Sequence, residues 1–282
     1  PLHCDLDASF PNYNPNPEDL KMLKDLGKHV LAQKADIGFA FDGDGDRVGV
    51  VDNNGHEIFA DKIGLLIARN LATEVSNSKF VIDVKSTSLF STDEILKKNN
   101  SEIIFWKTGH SYIKRKTSDI NATAGFERSG HFFFNNPIGR GYDDGILSAL
   151  EILKILDNNE KQTISDLYNE LTITFSSPTM SPKCPEESKY KLVEKIEEIF
   201  QHKKKNNETV AGQKILSILT VNGVRIHLED GSWGLVRASS NSPNLVVVCE
   251  STISEERMKE IFNDLNNELM KFNEIGEYDQ KI

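Results

Sequence analysis

The amino-acid sequence predicts a multi-domain α/β protein: layered α/β domains with mixed sheets, followed by a C-terminal α+β domain with an antiparallel sheet. Its 282 residues exceed the roughly 100–200 that a single domain usually holds. Strand-like apolar runs and helical repeats alternate up to residue 156, which is typical of layered α/β domains. Beyond residue 189 the alternation stops, and consecutive strand-like runs lie between two amphipathic segments.

The N-terminal elements start with an irregular loop. Residues 10–19 contain three of the nine prolines among asparagines, a composition that favours turns. A short helix follows, because apolar residues recur at a spacing of three or four and Asp19 can cap the first turn. The apolar positions of this helix are Leu20, Leu23, Leu26 and Val30. Apolar runs at 37–41 and 48–51 flank an Asp/Gly cluster, which indicates a strand, a tight loop and a second strand.

The middle of the chain alternates between the two element types. The predicted helices cover residues 61–72, 89–98, 112–118 and 144–156. The predicted strands cover residues 80–84 and 103–106, and the segment 122–134 precedes the last of these helices. Residues 157–159 and the proline-rich stretch 176–185 have the composition of a linker. The order of elements changes after this linker.

The C-terminal part begins with a predicted helix at 189–200. The lysines at 203–205 are interpreted as the solvated end of that helix, where cations are favourable. Predicted strands follow at 215–219, 224–228, 233–238 and 245–250. A final amphipathic helix is predicted from apolar residues spaced three or four apart. These residues are Met258, Ile261, Leu265, Leu269 and Phe272.

Composition excludes some classes of protein. The formal net charge of −10 opposes broad contact with nucleic acid, whose phosphates are bound by clustered Lys and Arg. No run approaches the roughly 18–20 apolar residues of a membrane helix, so we expect a soluble protein without a nucleic-acid or membrane partner. Cys4, Cys184 and Cys249 are odd in number and far apart. We therefore expect reduced thiols and a cytoplasmic protein.

The stretch DGDGDR at 42–47 is the most informative part of the sequence. Asp42, Asp44 and Asp46 would repel one another without a cation, while the glycines between them allow the backbone to fold so that the carboxylates converge. Ligands that are all oxygen favour Mg²⁺. The sequence therefore predicts a magnesium site formed by these three aspartates, between two strands.

Two other interpretations of this loop were weighed. A calcium-binding helix-loop-helix starting at Asp42 would need Gly and Glu where Arg47 and Asn53 stand, and helices where strands are predicted. That interpretation fails. A phosphotransferase of the haloacid dehalogenase type, with Asp42 as nucleophile and Asp44 as acid/base, is kept as the alternative enzyme. Against it, Asp46 stands where Thr or Val is usual.

Several segments carry chemistry of their own. Glu127 and Ser129, two apart in a segment taken to be extended, would point the same way and hold two neighbouring sugar hydroxyls. Arg237 ends a strand-like run, and the hydroxyls, amide and backbone N–H groups after it suit a phosphate dianion. A polar hairpin turn is the alternative for this second segment.

Five segments in order resemble the α-D-phosphohexomutases of the phosphomannomutase/phosphoglucomutase type. They are FPNYNPNP at 10–17, DGDGDR at 42–47, WKTGH at 106–110, ERSGH at 127–131 and RASSNSP at 237–243. The resemblance implies a C-terminal part of a second α/β domain at 1–54, a third α/β domain at 55–172 and a C-terminal domain at 173–282. It also implies Mg²⁺ as the cofactor and hexose phosphates as ligands.

The resemblance assigns roles to individual residues. The implied catalytic residues are Arg47, Lys107, His110 and His131, of which the histidines are candidates for moving a proton at a sugar hydroxyl. The implied substrate-binding residues are Lys107, His110, Glu127, Ser129, His131, Arg237, Ser239, Ser240 and Asn241. The remaining histidines are expected at the surface; these are His3, His29, His56, His202 and His227.

The implied activity moves a phosphoryl group between O1 and O6 of mannose or glucose phosphate through a bisphosphate intermediate. The phosphoserine segment of such enzymes, of the type TASHNP, does not occur in these 282 residues. We therefore expect a fragment that lacks the N-terminal phosphoserine domain, which would be its partner, and that is inactive by itself. A non-catalytic sugar-phosphate-binding module is the alternative.

The sequence departs from the resembled pattern at three places. Phe126 stands where Gly is usual, and Arg128 where Met or Tyr is common, so the backbone path of this loop is expected to differ from the pattern. The choice between mannose and glucose therefore stays open. The SSNSP part of the last segment replaces a common GTEP. That replacement leaves Arg237 and Ser239 well matched to the pattern.

Overall fold

A computed structural model describes residues 1–5, 7–280 and 282. The chain forms two compact units, Pro1–Leu171 and Thr172–Ile282. The fold confirms the predicted class, with layered α/β structure first and an antiparallel C-terminal sheet second. In the described part of the chain, no helix is long and apolar enough to cross a bilayer.

The first unit starts with the predicted loop, helix and strand pair. Helix α1 spans Leu20–Gln33, and the Asp19 carboxylate accepts the N–H of Lys21 at its start. Strands β1, Ile37–Phe41, and β2, Val48–Asp52, pair antiparallel, and β3, Glu57–Ile58, joins β2. The tight loop between β1 and β2 is the acidic stretch.

The rest of the first unit surrounds a four-stranded mixed sheet in the order β5-β4-β6-β7. Its strands are β4 (Lys79–Asp83), β5 (Glu102–Trp106), β6 (Ala124–Phe126) and β7 (Phe132–Phe134). Its helices are α2 (Ala60–Glu74), α3 (Leu89–Thr92), α4 (Glu94–Lys98), α5 (His110–Asp119), α6 (Gly145–Asn158) and α7 (Ile164–Asn169). Strand β4 is parallel to β5 and β6, whereas β6 and β7 form an antiparallel hairpin. The carboxyl ends of β4 and β6 therefore lie at one edge of the sheet.

The largest hydrophobic cluster of this unit joins the strand pair to the mixed sheet. Val48 and Val50 of β2 belong to the same cluster as Phe80 and Phe126 of the mixed sheet. The strand pair that carries the acidic loop is thus packed against the sheet that carries the ERSGH segment. A domain boundary at 54/55 remains a prediction.

The second unit is an α+β domain with the sheet order β8-β13-β12-β11-β10-β9, all pairs antiparallel. Its strands are β8 (Phe175–Ser176), β9 (Thr209–Val210), β10 (Gln213–Leu219), β11 (Val224–Leu228), β12 (Trp233–Ala238) and β13 (Leu245–Ser251). Its helices are α8 (Lys189–Lys205) and α9 (Glu255–Leu269). Both helices contact the apolar core of this sheet.

Three local predictions were wrong. The expected helix at 89–98 is broken at Asp93, which ends α3 and caps α4. The expected linker at 176–185 is part of the C-terminal sheet, because Met180 N–H donates to the Val247 carbonyl at 3.0 Å and Met180 is fully buried. His29 on α1 and His227 on β11 are only partly exposed, so neither is a simple surface histidine.

The cysteines agree with the expectation of free thiols. Cys4 is exposed, whereas Cys184 and Cys249 are buried, and all three are free. Burial raises the pKa of the Cys184 thiol, which keeps it protonated at neutral pH.

Candidate active site

The acidic loop brings its three aspartates together. One carboxylate oxygen from each of Asp42, Asp44 and Asp46 lies within 4.8 Å of the others. Gly45 has a φ of 76°, a conformation that a side chain disfavours, and it lets the backbone turn between the last two aspartates. The convergence predicted from the DGDGDR stretch is therefore present.

An ion pair between Arg47 and Asp42 holds the acidic loop, and the pKa of its third aspartate, Asp46, is raised. Arg47 Nε lies 2.6 Å from Asp42 Oδ2, and the Arg47 N–H donates to Asp42 Oδ1 at 3.1 Å. Burial acts to raise the pKa of Asp42, but these hydrogen bonds and the Arg47 charge outweigh it and lower the pKa below its usual value. Burial and the neighbouring Asp42 together raise the pKa of Asp46 to about 6.

These residues fit a divalent cation. Among the described residues, the buried Asp46 Oδ1 has no hydrogen-bond partner, and its nearest polar neighbour among the ion pairs is His131 Nδ1 at 3.5 Å. A buried carboxylate oxygen without a hydrogen bond is unfavourable, and a bound cation would remove that cost. The donors are all oxygen, as Mg²⁺ prefers, and Asp44 is exposed. Asp42, Asp44 and Asp46 could therefore hold Mg²⁺. Asp46 also converges with His131 and Asp143, but that set includes an imidazole nitrogen, which suits Mg²⁺ less well than oxygen does.

The ERSGH segment forms the turn of the β6–β7 hairpin. The Gly130 N–H donates to the Glu127 carbonyl at 3.1 Å, and Gly130 has a φ of 98°. The sequence argument placed Glu127 and Ser129 in an extended segment, with their side chains pointing the same way. That argument was wrong, because the three-residue strands β6 and β7 leave these positions in a tight turn.

Glu127 is a buried carboxyl group, with 1% of its surface exposed. Its side chain accepts the N–H of Gly109, from the WKTGH segment. Burial and, next, the charge of Asp83 raise the pKa of Glu127 to about 8, so the group is mostly protonated at neutral pH. A protonated carboxyl can donate one hydrogen bond and accept another, which suits a sugar hydroxyl. Ser129 is partly exposed in the same turn.

Backbone hydrogen bonds connect the acidic loop to this turn. The Val48 N–H donates to the Gly130 carbonyl at 3.2 Å, and Arg47 and His131 form an isolated bridge. The Gly145 N–H at the start of α6 donates to the Gly45 carbonyl at 3.0 Å. The candidate metal site and the candidate sugar site are therefore neighbours within the first unit.

The two motif histidines lie side by side. The rings of His110 and His131 are stacked, with centroids 5.5 Å apart. Asp143 Oδ2 lies 3.0 Å from His131 Nδ1 and 3.3 Å from His110 Nδ1. Burial lowers the pKa of His131 to about 4 although Asp143 opposes the shift, so the ring is neutral at neutral pH. The structure thus brings together His110, His131 and a carboxylate.

Sequence reasoning missed Asp143. It follows β7 in the stretch GRGYDDG at 139–145, and the glycines and paired aspartates of that stretch are the signal that could have revealed it. Lys114 Nζ lies 3.3 Å from Asp143 Oδ1, which gives the carboxylate a positively charged neighbour. Lys107, which was predicted for the site, is exposed, and its ammonium lies 5.8 Å from the Tyr112 ring centroid.

Sequence reasoning also missed Asp83, the last residue of β4. Asp83 is fully buried and accepts the N–H groups of Lys85 at 2.7 Å and Arg128 at 3.2 Å. The Arg128 side chain donates to the Lys85 carbonyl at 3.2 Å. Arg128 therefore ties the ERSGH turn to the end of β4, whereas Phe126 is a core residue packed on Phe80 and Phe90.

The RASSNSP segment, residues 237–243, lies in the second unit and is called the Arg237 loop below. Arg237 is 6% exposed at the end of β12, and its guanidinium donates to the Ala238 carbonyl at 2.8 Å. The hydroxyls of Ser239 and Ser242 lie 2.9 Å apart, and Ser240 and Asn241 are exposed. The Arg237 guanidinium is thus buried beside the hydroxyls, and Ser240 and Asn241 are the exposed part of the loop; its role as an anion site stays a prediction.

Three family models match this chain, and all belong to phosphoglucomutase/phosphomannomutase. The model of α/β/α domain II matches residues 1–55, the model of α/β/α domain III residues 59–175 and the C-terminal domain model residues 183–268. The chain belongs to the phosphoglucomutase/phosphomannomutase family.

Members of this family are similar along nearly all of the chain. A phosphomannomutase/phosphoglucomutase of Pseudomonas aeruginosa is 36% identical over 266 residues, which are 94% of this chain and 54% of that protein. A phosphoglucomutase of Neisseria meningitidis is 36% identical over 89% of this chain and 51% of its own length. A crystal structure of a family protein from Burkholderia thailandensis matches with a TM-score of 0.80 and 31% identity, over 95% of this chain and 53% of that one.

The chain spans about half the length of these phosphohexomutase relatives. Membership in the phosphoglucomutase/phosphomannomutase family leaves the haloacid dehalogenase alternative without support. Its proposed nucleophile, Asp42, is instead paired with Arg47 in a loop between antiparallel strands.

Proposed function

We propose that this chain is part of a phosphohexomutase that interconverts hexose 1-phosphates and hexose 6-phosphates of mannose or glucose through a bisphosphate intermediate. The observation that carries the proposal is the convergence of Asp42, Asp44 and Asp46 beside the turn that holds Glu127. A cation site next to a hydroxyl-binding group is what transfer of a phosphoryl group to a sugar requires. The similarity to enzymes named phosphomannomutase and phosphoglucomutase supports the same activity.

In this proposal the acidic loop holds Mg²⁺ through its three aspartates. The bound ion would supply positive charge next to the phosphoryl group during transfer. Arg47 keeps Asp42 ionised and oriented through their ion pair. The arrangement therefore provides positioning and charge, which are the main contributions in phosphoryl transfer.

The sugar would be held by the ERSGH turn. Glu127 binds one hydroxyl, and Ser129 offers a second contact at the more exposed part of the turn. His110 and His131, stacked beside Asp143, are the proposed groups for moving a proton at the reacting hydroxyl. Lys107, exposed at the start of the WKTGH segment, is proposed to contact the substrate.

The Arg237 loop would bind the phosphate that does not react. Arg237 supplies a guanidinium for charge-assisted hydrogen bonds, and Ser239, Ser240 and Asn241 supply hydroxyl, amide and backbone donors. A dianion suits this set better than a neutral ligand does. The resemblance further implies a phosphoserine domain of the same polypeptide as the partner. We propose the cytoplasm as the location, which the three free cysteines support.

The test is an assay of the natural gene product that contains these residues. It is incubated with mannose 1-phosphate or glucose 1-phosphate, with Mg²⁺ or with a chelator, and the 6-phosphate product is measured. We expect Mg²⁺-dependent conversion that an Asp44→Asn variant loses by at least about a hundredfold, since a site of three carboxylates loses one ligand. Binding of both sugar phosphates without any conversion would instead favour a non-catalytic binding module.

A further inference from the structure

Lys189, the first residue of α8, is a buried cation in the second unit. Its side chain is fully buried, which is rare for lysine. Burying an ammonium group is unfavourable unless oxygens replace its water. The N-terminus of a helix also carries partial positive charge, which disfavours a cation at this position. Helix stability alone therefore does not explain a lysine here.

The ammonium group is surrounded by oxygen atoms. Lys189 Nζ donates to the Ser239 carbonyl at 2.6 Å, to the Ser242 carbonyl at 3.1 Å and to the Glu186 carboxylate at 2.7 Å. These three acceptors match the three protons of an ammonium group. Two of them are backbone carbonyls of the Arg237 loop. The main contacts of Lys189 are therefore with the segment proposed to bind phosphate.

These contacts determine which backbone groups the loop can present. In a trans peptide unit the C=O and the N–H point in opposite directions. Because the Ser239 carbonyl points at the ammonium group, the Ser240 N–H in the same unit points away from it. The hydrogen bond from Lys189 to the Ser242 carbonyl fixes the end of the loop. The peptide unit of that carbonyl ends in Pro243, which has no N–H, so this bond affects no backbone donor.

We propose that Lys189 is a positioning residue that holds the Arg237 loop in the conformation that binds a phosphate monoester dianion. Its ammonium group binds the carbonyl oxygens of Ser239 and Ser242, which would repel an anion if they faced the ligand. Ser240 and Asn241 stay exposed and can contact the phosphate. The Glu186 carboxylate balances the charge of the ammonium group, so Lys189 acts through the conformation of the loop and Arg237 supplies the charge that meets the ligand. The inference rests on the proposed phosphate-binding function of the loop.

The test compares three forms of the 282-residue chain by NMR. Lys189→Met removes the charge but keeps an unbranched side chain, and Lys191→Met makes the same charge change at an exposed position of the same helix. Inorganic phosphate is added at constant ionic strength, and the amide signals of Ser240 and Asn241 are followed. We expect Lys189→Met to weaken phosphate binding at least about tenfold and Lys191→Met to leave it within about twofold, because only the first removes a charge that contacts the loop.

A second readout separates positioning of the loop from general stability. Backbone order parameters of residues 239–242 are measured without phosphate. They should fall in folded Lys189→Met and stay unchanged in Lys191→Met. Phosphate affinity within twofold of wild type, with an equally ordered loop, would overturn the inference.

A third measurement needs no variant. The ¹⁵N-labelled ammonium group of Lys189 should exchange slowly with water, because it is buried and its protons are held by three acceptors. Its signal should also move when phosphate is added. An ammonium group that exchanges as fast as that of Lys191 contradicts the inference even if Lys189→Met does not fold.

Failure of the proposed function would give a different result. The Ser240 and Asn241 amide signals of the wild-type chain would then not shift when phosphate is added, although the Lys189 ammonium exchanges slowly and the loop is ordered. That result overturns the anion-binding role of the Arg237 loop, and with it the part of the inference that concerns phosphate.

Discussion

Glu127 shows how the surroundings of one side chain set its chemistry. The carboxyl group has 1% of its surface exposed, accepts the Gly109 N–H and lies near Asp83. Burial is the largest cause of its raised pKa, of about 8. The proton bound at neutral pH makes the group both donor and acceptor, which a carboxylate is not.

The pKa of Glu127 predicts how the free energy of unfolding depends on pH. The unfolded chain releases this proton near pH 4.5 and the folded chain near pH 8. Between these values the folded state binds more protons, so stability is greatest below pH 4.5 and falls as pH rises through the window. The slope from this one group is about 1 kcal/mol per pH unit. Above pH 8 its contribution is constant.

The measurement is urea-induced unfolding of wild type and Glu127→Gln at pH 5.5 and pH 7.5. The free energy of unfolding of the variant should lack the decline caused by Glu127, because glutamine does not titrate. The difference in free energy of unfolding between the two proteins should therefore change by about 2 kcal/mol from pH 5.5 to pH 7.5. Glu102→Gln, at an exposed glutamate of β5, is the matched control and should follow wild type. Parallel pH profiles of wild type and Glu127→Gln would contradict a raised pKa.

Gly145 is a second residue whose surroundings decide its role. A Cβ atom at this position would lie 2.7 Å from the Gly45 carbonyl oxygen and 2.8 Å from the Arg47 carbonyl oxygen. Both contacts are with backbone of the acidic loop, so the loop must move to accept a side chain. Gly145→Ala should lower the free energy of unfolding by about 1–3 kcal/mol, as overpacking does. It should also weaken the cation site at least about tenfold, because small displacements of a ligand set are costly.

Titration with Mn²⁺, a paramagnetic substitute for Mg²⁺, measures the second effect. The control is Ile146→Ala on the next residue of α6, which is 64% exposed and should leave the affinity unchanged. If Gly145→Ala binds Mn²⁺ as tightly as wild type, the close packing of α6 on the acidic loop does not support the cation site.

At the scale of elements, Asp93 explains why one predicted helix is two. Its carboxylate accepts the N–H groups of Ile95 and Leu96 at 3.0 Å, so it caps α4 and cannot continue α3. It also pairs with Arg69 of α2, at 2.6 Å, and its side chain is 2% exposed. One residue thus ends a helix, starts another and joins both to α2.

Asp93→Ala removes the cap and leaves Arg69 without its partner. We expect the free energy of unfolding to fall by about 3 kcal/mol, because a cap contributes about 1 kcal/mol and breaking a buried pair costs more. Asp93→Asn keeps the cap and loses only the charge, so it should be less destabilising. Urea unfolding of both variants checks this order, and equal losses would mean that the cap contributes nothing.

Elements with a strong apolar pattern could be predicted from the sequence. Helix α1 with its Asp19 cap, β1, β2 and the C-terminal strands all lie close to the expected positions. The stretch 176–185 was misread because its prolines resemble a linker, whereas its backbone pairs with β13. Pairing across distant parts of the chain overrides local composition.

The candidate site could be predicted only where its chemistry is local. The acidic loop is local, since three carboxylates from five consecutive residues converge through the geometry of their own backbone. Asp143 and Asp83 reach the site through the hairpin and the end of β4, which no local pattern encodes. The β6–β7 turn was misread because strands that are buried throughout show no alternation to mark their ends.

At the scale of the whole molecule, each unit carries its own candidate site. The first contains the acidic loop, the ERSGH turn and the histidine pair, and the second contains the Arg237 loop with Lys189 behind it. Neither unit contains the phosphoserine segment expected from the resemblance. Binding and turnover should therefore be separable in these 282 residues.

The 282-residue chain should bind Mn²⁺ and show no conversion of mannose 1-phosphate to mannose 6-phosphate. Binding needs only the aspartates that converge in the first unit, whereas phosphoryl transfer needs a donor group in line with the reacting hydroxyl. A calorimetric Mn²⁺ titration measures the first property, and a coupled assay of the 6-phosphate product measures the second. The control is the chain with Asp42, Asp44 and Asp46 all changed to Asn, purified in the same way. Turnover in the unaltered chain that this control lacks would mean that another residue among the 282 carries the phosphoryl group, so that no separate phosphoserine is needed.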